Sequence, residues 1–104
     1  MQDTYCHITI SATDRQEADL IADTLLTKKL ISGALILNGP SRYWWQGKID
    51  EQVYYNISCY SLMKNKDEII SEVKKVHKDK VPIIAFSEID GNKDFLEWIK
   101  ESVK

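Results

Sequence analysis

Between Thr4 and Ile10 the side chains alternate, Cys6, Ile8 and Ile10 on one side and Tyr5, His7 and Thr9 on the other, which predicts a half-buried strand. Thr13-Asp14-Arg15-Gln16 then has a capping-box pattern in which either Thr13 or Asp14 can cap. Behind it Ala18, Ile21, Ala22, Leu25, Leu26 and Leu30 recur at helical spacing, Lys28 and Lys29 suit the negative end of the helix dipole, and Gly33 supplies a stop. Ala34 to Leu37 predict a short apolar strand, and Asn38-Gly39-Pro40 a turn or kink. A second extended stretch, Arg42 to Ile49, is expected to turn near Asp50-Glu51-Gln52 into a strand from Val53 to Tyr60, with Gly47 as a bulge or the turn itself. In that strand Val53, Tyr55, Ile57 and Cys59 share one face, and Tyr54, Asn56, Ser58 and Tyr60 the other. Asn65-Lys66-Asp67-Glu68 opens a second helix with the apolar stripe Ile69, Ile70, Val73 and Val76. Pro82 bars further helix, Ile83 to Phe86 predict a fourth strand, and Gly91-Asn92 precedes a short terminal helix bearing Phe95, Leu96, Trp98, Ile99 and Val103.

The order β-α-β-β-α-β plus a last helix is that of the ferredoxin-like split unit, an α+β sandwich, here expected as a single domain over residues 1–104. Right-handed crossovers put both main helices on one face of a four-stranded sheet and leave the other bare. Strand alternation forbids both Trp44 and Trp45, or both Tyr54 and Tyr55, from facing the core. Large rings on a bare face make an apolar patch that self-association would cover, so an oligomer is expected.

Composition narrows the function classes. The 104 residues are 43% hydrophobic and 29% charged, ordinary for a globular chain. Fourteen basic against sixteen acidic residues leave a formal charge of -2, which announces no nucleic-acid surface. The longest uncharged runs, Leu30 to Ser41 and Gln52 to Met63, are too short to span a bilayer, so no membrane partner is expected. Met1-Gln2-Asp3-Thr4 lacks a signal-peptide pattern, and two cysteines make no disulfide scaffold; a cytoplasmic location is the expectation. Six of the ten aromatic residues fall between Tyr43 and Tyr60.

Hydrolase, kinase and zinc-protease motifs are missing, and the chain is not expected to be an enzyme. His77, at the end of the second helix, reads either as a partly buried histidine near the last carbonyls or as a ligand or base at a pocket rim, with Asp79 close by. His7, on the polar side of the first strand, is a weaker ligand candidate. Cys6 and Cys59 are expected side by side under the helices, as inert thiols, a soft two-sulfur site for Cu(I), or a disulfide; burial favours inert thiols. Lys48, Asp50 and Glu51 cluster beside Trp45, as a solvated turn or as a site where Lys48 meets an anionic ligand across a subunit boundary.

Tyr43-Trp44-Trp45-Gln46-Gly47-Lys48-Ile49 resembles the Y-W-W-x-G-K-I signature of the CutA divalent-cation-tolerance proteins. Lys28-Lys29-Leu30-Ile31 leading into Gly33-Ala34 is similar to the end of that family's first helix and its second strand, and Phe95-Leu96-Glu97-Trp98-Ile99 to its C-terminal Y-L-x-W-I. The resemblance implies a ferredoxin-like homotrimer with long strands pairing between subunits, a likeness to the PII signalling proteins, and a link to copper and other divalent cations without an obligatory cofactor. It implies ligand binding at inter-subunit clefts, with Trp45 as a wall, Lys48 and Glu51 as polar contacts, His77 as metal ligand or gate, and Asp79 beside it. Two departures stand out: Gly33 ends Leu30-Ile31-Ser32-Gly33 where many relatives have cysteine, and His77-Lys78-Asp79-Lys80-Val81-Pro82 lacks the tyrosine and glutamate of H-P-Y-E-V-P. Both remove donors suited to copper. The alternative is a PII-like regulatory protein that binds a protein partner or small anion without metal.

Overall fold

The computed structural model describes residues 3–104; the start Met1-Gln2 considered above lies outside the described residues. Its elements are β1 (Tyr5–Ala12), α1 (Arg15–Thr27), β2 (Ala34–Trp45), β3 (Lys48–Leu62), a 3-10 turn (Met63–Asn65), α2 (Lys66–Val76), β4 (Ile84–Ile89) and α3 (Lys93–Ser102). The strands form one antiparallel sheet in the order β2-β3-β1-β4, the expected ferredoxin-like topology with an additional C-terminal helix.

The alternation in β1 and β3 is realised as read. Cys6, Ile8 and Ile10 pack with Ile57 and Cys59 under Ala18, Ile21, Leu25, Ile69 and Val73 of the two main helices. On the opposite face α3 covers one end, where Ile99 and Val103 join Leu62 against Tyr5, Tyr60 and Ile89. The bare face is therefore only partly bare. Gly33 explains how α3 gets so close, since a Cβ there would lie 3.1 Å from the ring of Trp98.

Several boundaries differ from the sequence expectation for local physical reasons. Helix α1 ends at Thr27. Its stop is not Gly33 but a Schellman motif: Lys29 takes φ 57, and its N–H and that of Leu30 donate to the carbonyls of Leu26 and Leu25. Leu30 and Leu25, both buried, supply the accompanying apolar contact. At the start Asp14, not Thr13, is the cap, accepting from the Glu17 N–H at 2.8 Å. Asn38-Gly39-Pro40 makes no break. Proline is tolerated in β2 because that strand lies at the sheet edge.

The hairpin turn is Gln46-Gly47, with φ 51 and 82, a two-residue connection with the positive φ values a type I′ turn requires. Asp50, Glu51 and Gln52, expected as a turn, are instead paired in β3. Moving the turn forward lengthens both strands. β1 pairs with β3 only as far as Ala12–Tyr55, so Lys48 to Tyr54 run on with β2 alone as an arm about 24 Å long. The molecule is accordingly elongated, 45 × 24 × 21 Å.

Candidate functional site

The arm and the connection from α2 to β4 enclose a cleft of about 600 Å³. On the arm's side it is walled by Tyr43, Trp45 and Tyr54, with Asp50 between them; opposite stand Asp79 and Lys80. Alternation places Tyr43, Trp45 and Tyr54 together, because their register partners Asp50, Lys48 and Gly39 put all three on the face away from α1 and α2. Tyr43 and Tyr54 meet edge to face, centroids 5.7 Å apart and planes at 88°. Tyr54 donates its hydroxyl to Asp79 Oδ2 at 2.7 Å, closing the cleft between sheet and loop. Burial, then this bond to a carboxylate, push the Tyr54 phenol well above the ordinary tyrosine range, so it stays a donor.

The loop that carries Asp79 is held from behind by a buried carboxylate. Glu17 occupies the third position of α1 and accepts the Thr13 N–H at 2.7 Å and hydroxyl at 3.1 Å, its capping-box task displaced by one residue. Its other oxygen accepts the Lys78 N–H at 2.7 Å, sixty-one residues away in sequence. Lys78 reaches outward to Asp14 at 2.6 Å, which holds the aspartate below its usual range. One acidic side chain thus joins the start of α1 to the loop beyond α2.

His77 lies inside this network with its ring 1% exposed. Nε2 sits 2.6 Å from the Ser11 carbonyl and Nδ1 accepts the Asp79 N–H at 3.0 Å. A carbonyl only accepts and an N–H only donates, so these partners set the Nε2–H tautomer. Glu17 Oε1 is 3.8 Å from Nε2, too far for a hydrogen bond.

Of the five residues expected at a site, the structure brings Trp45 and Asp79 into the cleft. Lys48 is exposed at the hairpin tip as the register partner of Trp45. Glu51 is exposed and bound to Arg42 at 2.8 Å, and His77 is sealed beneath the loop rather than lining the cleft. Tyr54 and Glu17 were not singled out as site residues. Alternation put Tyr54 on the right face, but nothing local pairs it with Asp79. Among the described residues there is no group of three or more His, Cys, Asp or Glu side chains able to hold a metal ion.

His7 is engaged with the Ser58 hydroxyl at 2.7 Å. Cys6 and Cys59 are both free and buried, diagonal across β1 and β3, and donate to the carbonyls of Ser61 and Ile8. Burial raises the Cys6 thiol and pushes Cys59 up to about 12, the mark of unreactive thiols.

The CutA1 divalent ion tolerance protein family matches residues 6–102. The chain belongs to that family. Its relatives include the divalent-cation tolerance protein CutA of Archaeoglobus fulgidus, 36% identical over 98 residues, covering 93% of this chain and 96% of the relative. The CutA of Pyrococcus horikoshii is 30% identical over 92 residues, 88% and 90% of the two chains. The solved structure of the A. fulgidus protein superimposes with a TM-score of 0.92 at 35% identity, over 96% of this chain and 99% of that one. The CutA1 structure from Oryza sativa, at 23% identity, shares the fold, with a TM-score of 0.92 over 97% and 94% of the chains. These names are those of tolerance proteins, in agreement with the expectation that this CutA1 family member is not an enzyme. They correct the expected location: the A. fulgidus protein is described as periplasmic, which overturns the cytoplasmic assignment drawn from the N-terminal pattern and the cysteine count. Among the described residues, no helix is long and apolar enough to cross a membrane.

Proposed function

We propose that this chain, as one domain, serves divalent-cation tolerance as a homotrimer that takes its ligands at clefts between subunits. The observation that carries this reading is the arm. It is two strands wide and holds large apolar side chains in water on both faces: Trp44 at 73% exposure, with Ile49 and Val53 on one face, and Leu35 and Leu37 at the base of the other. Such an area is stabilised by a second copy laid against it. In this reading Trp45, Lys48, Glu51 and Asp79 contact ligand, and copper or another divalent cation is cargo rather than a resident cofactor.

His77 offers a cation one lone pair, at Nδ1, and only by displacing the Asp79 N–H; in this reading water and a second copy supply the remaining donors. That arrangement favours weak, reversible capture. Sedimentation of the wild-type chain and of Leu37→Glu tests assembly, and calorimetric titration with Cu(II), Cu(I) and Zn(II) tests the metal. A trimer that the glutamate dissociates, together with metal binding weakened in His77→Ala, is expected. A monomeric wild type, or metal binding indifferent to both changes, overturns the reading.

A further inference from the structure

We infer that the turn Asp90-Gly91, between β4 and α3, is a modification site: there the chain converts aspartate to isoaspartate without an enzyme, and the conversion loosens α3. Residues 90–92 lie outside any helix or strand and are exposed. The Gly91 N–H donates to Asp90 Oδ1 at 2.8 Å, so the backbone nitrogen already faces the side-chain carboxyl. Asp90 is the one aspartate in the chain that is followed by glycine, which has no Cβ to crowd that approach. Packing asks for this glycine, because a Cβ on it would lie 3.2 Å from the Phe95 ring. The turn also lies clear of the arm. It follows Ile89, whose partner Tyr5 pairs with Leu62 at the end of the sheet away from the hairpin tip, and so away from the apolar surface on which the proposed assembly rests.

In the reaction the Gly91 nitrogen attacks Cγ of the protonated Asp90 carboxyl. The N–Cγ bond forms, the amide proton and the side-chain hydroxyl leave as water, and a succinimide ring closes. Water then adds to either ring carbonyl. Breaking the N–Cγ bond returns aspartate. Breaking the bond from nitrogen to the former backbone carbonyl leaves the chain running through Cβ and Cγ, one carbon longer, with that carbonyl now a free carboxylate. No mass is gained, and one oxygen comes from solvent. The longer connection displaces Phe95 from its seat in the first turn of α3, where its ring stands edge-on to Tyr60 with centroids 5.1 Å apart. Sequence alone favours Asn38-Gly39 as the reactive pair, since an amide expels ammonia more readily than an acid expels water. The structure protects it. Asn38 and Gly39 are paired with Tyr55 and Tyr54 inside β2, and the extended ψ of about +135° turns the following nitrogen away from the side-chain carbon.

The test is incubation of the folded full-length chain at neutral pH and body temperature in heavy-oxygen water. Peptide mapping with electron-transfer fragmentation then separates isoaspartate from aspartate at each position. Isoaspartate carrying solvent oxygen is expected at position 90, formed at least tenfold faster than at any other aspartate, while Asn38 keeps its amide. In denaturant the order reverses, and Asn38 becomes the fastest site. In the isomerised fraction, refolded or separated by charge-neutral chromatography, the amides of α3 exchange faster than in the unmodified chain. The inference is overturned by a rate at Asp90 no greater than at the other aspartates, or by loss of the Asn38 amide as fast as the change at Asp90 in the folded chain. It is equally overturned by an Asn38 that stays intact in denaturant, or by α3 amides that exchange as before once position 90 has isomerised.

Discussion

Replacing Glu17 with alanine removes the clamp between the start of α1 and the loop that frames the cleft. The carboxylate, 2% exposed as a residue, accepts two backbone N–H groups at 2.7 Å, from Thr13 and Lys78, and the Thr13 hydroxyl at 3.1 Å. A hydrogen bond to an ionised acceptor contributes about 1.5–3 kcal/mol net, so the two short bonds together give about 3–6 kcal/mol. Part of this returns when water reaches the partly exposed Thr13, which leaves an expected loss of about 3 kcal/mol, or about a hundredfold in the folding equilibrium. Glu17→Gln keeps one carbonyl for one of the two N–H groups and should lose about half as much.

Urea unfolding at fixed protein concentration measures the loss, because self-association would otherwise change the apparent stability. Amide hydrogen exchange locates it: the Lys78 N–H should exchange faster in Glu17→Ala while the amides of β1 change only by the global loss. A loss below about 1 kcal/mol with Lys78 protection unchanged would refute the assignment of Glu17 as the clamp.

Lys29→Gly should stabilise the chain by about 0.5–1 kcal/mol in the same unfolding assay, because φ 57 is strained for lysine and free for glycine. Gly33→Ala sets a methyl group 3.1 Å from Trp98 and should lose about 1 kcal/mol; Trp98→Phe, which lacks the crowding atom, should relieve that loss in a double-mutant cycle. Cys6 and Cys59 should resist thiol reagents at pH 8 until denaturant is added. Since the folded Cys59 thiol holds its proton to about pH 12, the unfolded chain binds fewer protons above the ordinary thiol pKa, and stability should fall as pH rises from there towards 12. A pH–stability curve flat across that window would contradict the burial of this thiol.

Much of the fold was legible because periodicity reports burial. The period of two in Cys6-Ile8-Ile10 and in Ile57-Cys59, and the helical stripes of Ala18 to Leu25 and Ile69 to Val76, are one-residue-deep records of which side faces the core. Within the aromatic segment alternation put Tyr54 on the face opposite Tyr55 and Cys59, but which of Trp44 and Trp45 shares that face depends on the Gln46-Gly47 turn, which polarity had placed at Asp50-Glu51-Gln52. Neither wall of the cleft was legible as a whole. Asp79 meets Tyr54 from twenty-five residues away and Lys78 meets Glu17 from sixty-one, and no local pattern encodes either distance.

Chain order and alternation alone therefore determined the ferredoxin-like sheet, its helix-covered face and the solvent-facing rings, since each follows from the direction of successive side chains along one segment. Tertiary structure decided the rest. It chose Gln46-Gly47 over the more polar Asp50-Glu51-Gln52 as the turn, because cross-strand pairing rather than polarity sets register. It used Gly33 to seat Trp98 instead of to stop a helix, and it enclosed His77 between Ser11 and the Asp79 amide. Those outcomes depend on which distant surfaces come within a few ångströms of each other, and that is settled only when the whole chain packs.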